Sequence, residues 1–131
     1  MILLDTHVLL WLGAEPKKLS RAAASAIRRS LRSGGIGIAS ISLWEIAMLL
    51  ESGRLRAPGT SEHAIGLLLE KTGVAVLEIT PEVAALAVQF PESFPRDPAD
   101  RLIAATARAR SLPLVTADER IRESPLVKTI W

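Results

Sequence analysis

The sequence predicts an α/β fold: a short, mostly parallel central sheet of about five strands, flanked by helices. Three observations predict it. Short apolar runs alternate with windows of helical periodicity along the whole chain. The strand candidates are apolar on both faces, as a sheet covered by helices on both sides requires. The length, 131 residues with 49% hydrophobic and 23% charged, is that of one ordinary domain, large enough to bury a core without staples, and 1–131 reads as a single domain.

The elements follow in order. Ile2–Leu4 is a buried strand ending at Asp5, and Thr6–Leu12 a short helix. Leu19–Arg32 is an amphipathic helix, with Leu19, Ala22, Ala23, Ala26, Ile27 and Leu31 near a spacing of 3.6 and Arg28, Arg29 and Arg32 toward the end the dipole favours for cations. Gly34-Gly35 stops it before a second strand, Ile36–Ala39. Helices are expected at Ser42–Leu50 and at Ser61–Lys71, the latter stopped by Gly73. Val74–Ile79 is a third strand. Pro81–Gln89 and Pro98–Arg110 are helices with proline in the first turn. Leu114–Val115 is a fourth strand, Ala117–Arg122 a short helix and Val127–Ile130 a fifth strand. Glu15–Lys18, Ser33–Gly35, Arg54–Ser61 and Pro91–Pro98 read as loops.

Composition narrows the chemistry. With no cysteine, there is no disulfide, thiol nucleophile or cysteine-based zinc site. His7 and His63 are the only histidines, so a histidine-rich metal centre is not expected. A metal would be held by oxygen, which points to Mg²⁺ or Mn²⁺. Net charge is only +2, but twelve of the sixteen basic residues are Arg, the better bidentate phosphate ligand. No apolar run approaches a membrane span and no leader is evident, so no membrane contact and a cytoplasmic location are expected.

Only four aspartates occur, and their positions are informative. Asp5 follows the first strand directly. Glu45 follows the second, through Ser42-Leu43-Trp44. Asp118 follows the fourth, through Thr116-Ala117. Asp97 and Asp100 open another helix. Parallel strands put their carboxyl ends on one edge, where α/β sheets place their sites, so these remote acids are expected to converge. Each has a structural alternative: Asp97 as N-cap before Pro98, Ser42 and Glu45 as a capping box, Asp118 as a cap. Asp5 resists such an alternative, since an ionised group at a buried strand end needs a partner. Crowded carboxylates persist chiefly where a cation neutralises them, and Mg²⁺ or Mn²⁺ in such a pocket supports phosphodiester hydrolysis by a metal-activated water.

Four segments resemble the PIN-domain ribonucleases, and within them the VapC toxins of VapBC toxin–antitoxin modules. Leu4-Asp5-Thr6-His7-Val8-Leu9-Leu10-Trp11 resembles the D-T-H-x-L-L-W opening of one subgroup. Ser40–Ala47 resembles the motif carrying the glutamate, Asp97–Ala107 the third motif and Val115–Asp118 the fourth. The resemblance spans essentially the whole chain. It implies a PIN-like fold, metal-dependent endoribonuclease activity, a homodimer and a VapB-type antitoxin; in-line attack by a metal-activated water would leave 5′-phosphate and 3′-hydroxyl ends. It also implies Asp5, Glu45, Asp100 and Asp118 as the catalytic, metal-holding quartet, with Asp5 and Asp100 as direct ligands. Thr6 and Thr116 are placed to hydrogen-bond a ligand, water or phosphate, and Asp97 is a cap or a supporting group. Arg101 is left between pairing a carboxylate and touching RNA. Trp11 and Trp44 are expected in the core. A non-cleaving RNA- or protein-binding module is the alternative. A phosphoacceptor domain is disfavoured because Asp5-Thr6-His7 lacks the D-x-D pairing.

Overall fold

The structure, a computed structural model, describes residues 1–131. Five parallel strands stand in the order β3-β2-β1-β4-β5: β1 Ile2–Leu4, β2 Ile36–Ala39, β3 Ala75–Leu77, β4 Leu114–Val115 and β5 Thr129–Ile130. Seven helices connect and cover them: α1 Thr6–Ala14, α2 Arg21–Arg32, α3 Ile41–Glu51, α4 Ser61–Thr72, α5 Pro81–Gln89, α6 Pro98–Ala109 and α7 Glu119–Arg122. The expected α/β architecture is found, with a wholly parallel sheet. No helix is long and apolar enough to cross a membrane.

Period-2 alternation in the strands sorts the core into two layers. Leu3, Ala39, Leu77 and Leu114 point to one side, against Val83, Ala87, Phe94, Ile103 and Ile121 of the α5–α7 half. Ile2, Leu4, Ile36, Ile38 and Val115 point to the other, against Val8, Leu9, Ala26, Ile27 and Ile46 of α1–α3. In β1, β2 and β4 the continuous apolar runs are therefore alternating runs whose two faces are both buried, whereas edge strand β3 leaves Ala75 and Val76 exposed.

Helix ends follow their caps. Ser20, Thr60 and Thr80 side chains accept the amides of Ala23, His63 and Val83. Gly73 closes α4 in the left-handed region, at φ 67°.

Several boundaries differ from expectation. Pro16–Lys18 forms a 3₁₀ turn within an expected loop. Strands β3 and β5 are trimmed to three and two residues, because ladder partners exist only there. Helix α7 begins at Glu119, Asp118 being its cap. The capping box is not formed: α3 starts at Ile41, and Ser42 lies fully buried inside the helix. Trp44 is 56% exposed rather than in the core. Helix α3 is apolar nearly all round, and Ser42 and Ile46, one turn apart, define its buried face. Trp44 and Met48 occupy the exposed one. Trp11 is half-buried, between the rings of His7 and Trp131.

Because Leu3 is fully buried in the central strand, Leu3→Ala should cost about 3 kcal/mol. The urea unfolding midpoint will read this, with an unchanged slope.

Candidate active site

The sheet order reverses beside β1: the chain builds β2 and β3 on one side of it and β4 and β5 on the other. The crevice at the carboxyl ends of β1 and β4 is the place such folds reserve for ligands. Asp5 leaves β1 there, and Thr116 leaves β4.

Asp5 is 4% exposed. Its Oδ1 accepts the Thr6 amide at 2.8 Å, capping α1. Its Oδ2 accepts the Thr116 hydroxyl at 2.7 Å. The Thr116 oxygen in turn accepts the Asp118 amide at 3.1 Å. Across the crevice, the Thr6 hydroxyl contacts both Glu45 Oε1 and, at 2.8 Å, Ser42 Oγ. Thr6 has a single proton, which goes to the carboxylate; the Ser42 hydroxyl supplies the proton between the two alcohols. Thr6 and Thr116 are thus buried, each giving its hydroxyl proton to an acid. Their role is to orient Glu45 and Asp5.

Asp97 caps α6 through the Ala99 amide at 2.8 Å. Asp100 lies in the first turn of that helix. Burial, and then the charges of Asp5, Asp97, Asp118 and Glu45, push the Asp100 carboxyl up to about 7. Burial also pushes the Glu45 carboxyl up, the Thr6 hydroxyl opposing it and the charges of Asp5 and Asp97 adding to it. The four expected acids, with Asp97, therefore share one electrostatic neighbourhood. Asp118 caps α7 through the Arg120 amide at 2.9 Å. Arg120, 69% exposed, reaches Asp118 Oδ2 at 3.4 Å and Asp100 Oδ2 at 3.8 Å.

The donor set fits a hard divalent cation. It is all oxygen and carries more negative charge than one exposed guanidinium offsets. No three of these acids stand close enough together to hold an ion jointly, so an ion there would take its protein ligands singly or in pairs and fill the rest of its shell with water.

Arg101 makes no ion pair with a carboxylate. Its guanidinium donates to four backbone carbonyls, those of Pro95, Phe90, Pro91 and Phe94, at 2.8–3.2 Å. It pins the loop before α6, one wall of a cavity of about 790 Å³ that reaches Arg120. Sequence reasoning missed Ser42 and Arg120. A signal for Ser42 existed: it is the only hydroxyl in the window 41–50, which is otherwise apolar apart from Glu45, and it lies one turn from Ile46. Arg120 carried none, being one of two arginines in a polar segment.

Residues 2–125 match the PIN domain family. The chain belongs to the PIN-domain family. This PIN domain is 43% identical to Ribonuclease VapC22 of Mycobacterium tuberculosis, over 99% of this chain and 98% of that protein. Its fold is similar to that in the crystal structure of VapBC2 from Rickettsia felis bound to a promoter DNA fragment, with a TM-score of 0.73 at 16% identity, covering 98% and 97% of the two chains. It is also similar to FitAcB from Neisseria gonorrhoeae, with a TM-score of 0.64 at 25% identity, covering 98% and 96%.

Two predictions follow from the charges. In the folded state without metal, Asp100 takes up its proton near pH 7, whereas the unfolded chain does so near the ordinary value of 3.8. The folded state thus binds more protons across that interval, and stability falls as pH rises through it. Asp100→Asn should remove this slope. With chelator present at pH 8, the variant should be more stable by about 1–2 kcal/mol, the shift being discounted for solvent screening; the two should converge at pH 4 in thermal scans. Arg101→Met should strand four carbonyls, cost at least about 2 kcal/mol and expose the 90–96 backbone to rapid amide exchange.

Proposed function

We propose that this chain, as one PIN domain over 1–131, is a Mg²⁺- or Mn²⁺-dependent endoribonuclease acting as the toxin of a type II toxin–antitoxin pair. What supports this is that the charges of Asp5, Asp97, Asp118 and Glu45 all bear on Asp100 at the carboxyl edge, with one exposed guanidinium to offset them. The similarity to a ribonuclease over nearly the whole chain supports RNA as substrate.

Asp5 and Asp100 are the proposed direct ligands, with Glu45 and Asp118 completing the set. A divalent cation bound there lowers the pKa of water and offsets charge on the attacked phosphodiester. The remaining work falls to the chain. Thr116 turns one oxygen of Asp5, and Thr6 turns one oxygen of Glu45, so each carboxylate presents fixed lone pairs. The N-terminal turn of α6 holds Asp100, and its amides favour the negative charge. Arg120 lies at the rim, placed to meet a phosphate as well as a carboxylate.

A VapB-type antitoxin, a homodimer and a cytoplasmic location belong to the same proposal. Solved neighbours with this fold include VapBC of Salmonella typhimurium, with a TM-score of 0.70 at 20% identity. An apolar groove lined by Leu10, Ile46, Leu50, Leu55 and Leu68 lies between α1, α3 and α4, and is suited to an apolar segment of an antitoxin.

The test is cleavage of labelled total RNA by antitoxin-free protein, with Mn²⁺ or Mg²⁺ and with chelator. Discrete fragments are expected with metal and none with chelator. Asp5→Asn, which keeps the helix cap, should lower the rate at least about a hundredfold. Fragments persisting in chelator, or a near-normal rate for Asp5→Asn, would overturn the mechanism. RNA bound tightly but left intact would establish a non-cleaving module instead.

A further inference from the structure

The roles assigned so far leave His7 without one. Its ring lies over the loop between β4 and α7. The Ala117 amide, which has no backbone acceptor, donates to His7 Nε2 at 3.1 Å. An amide only donates, so Nε2 carries no hydrogen and the ring proton sits on Nδ1. Nδ1 faces Asp5 Oδ2 at 3.6 Å. The ring meets Trp11 edge-on, with centroids 4.8 Å apart, which fixes its plane.

Helix α1 thus grips two successive residues of the β4–α7 loop. Asp5 takes the Thr116 hydroxyl and His7 takes the Ala117 amide. The next residue is Asp118. Its carboxylate is otherwise held only by its own short helix and by exposed Arg120. We infer that His7 is a positioning residue for Asp118: by accepting the Ala117 amide it fixes the loop that presents this carboxylate to the acid cluster. It does so without contributing a ligand of its own, since Nε2 is occupied and Nδ1 bears the proton.

This inference rests on the metal-dependent nuclease reading, and the test separates the two. Glutamine places its terminal amide near the position of Nε2 and can accept the Ala117 amide. Asparagine ends near the position of Nδ1 and cannot reach it. Mn²⁺ affinity is measured by calorimetry on RNA-free protein, beside the melting temperature and the cleavage kinetics. His7→Asn should weaken Mn²⁺ binding about 10- to 100-fold, the usual loss when a ligand's outer support is removed. It should lower kcat with little change in KM. His7→Gln should restore most of both. In the unmutated protein, a scalar coupling between the Ala117 amide nitrogen and His7 Nε2 should be visible by NMR, which decides the matter if either variant fails to fold. Wild-type Mn²⁺ affinity in His7→Asn, equal loss in both variants, or absence of the coupling overturns the assignment. Unmutated protein that binds no Mn²⁺ and cleaves no RNA overturns the nuclease reading itself, and the assignment with it.

Discussion

Carboxylates crowded at one end of a parallel sheet are the constraint on which the structure depends. Asp5, Glu45, Asp97, Asp100 and Asp118 each raise or feel the charge of others. Left to water, such groups would separate. Two cores, one on each side of the sheet, prevent it. Helices α1, α3, α6 and α7 all start at the same edge, and the buried apolar faces of β1, β2 and β4 fix where those starts lie. The packing free energy of the scaffold thus opposes a local repulsion, which is how an unfavourable charge distribution persists in a folded chain.

The choice between cap and site, open in the sequence, dissolves in the structure. Asp5, Asp97 and Asp118 all cap helices. A carboxylate has about four lone-pair directions, and a cap uses one. In Asp5, Oδ1 satisfies the Thr6 amide while Oδ2 takes the Thr116 hydroxyl, and further directions remain. Capping and ligation are compatible uses of one side chain. The helix N-terminus even favours the charge that ligation requires.

Much of this was legible. Strand positions follow from short apolar runs, and the meeting of Asp5, Glu45 and Asp118 follows from parallel strands having one carboxyl edge. Helix α3 was the least legible element. Apolar nearly all round, it has no face that periodicity singles out, so the pattern points Trp44 inward and Ser42 to a cap, where the fold does neither. Only the partner decides: Thr6, thirty-six residues earlier, needs a hydroxyl neighbour, and Ser42 supplies it. Arg101 was illegible for a similar reason. Its four acceptors are main-chain carbonyls of a loop, and carbonyls have no signature in sequence.

The groups that hold the acids are themselves revealing. Thr6, Thr116 and Ser42 are neutral donors, and His7 turns only an N–H toward Asp5. A lysine or arginine in their places would orient the carboxylates equally well. It would also neutralise them, and a buried ion pair leaves no charge for a ligand. Hydroxyls fix direction while leaving the charge in place. The one full cation that touches the cluster, Arg120, lies at the rim and is 69% exposed. An exposed ion pair is worth little and yields readily to a competitor of higher charge. The protein therefore orients its acids with groups that cannot satisfy them electrostatically, and keeps the only group that could on a short helix at the surface. That division suits a pocket whose missing charge comes from outside the chain.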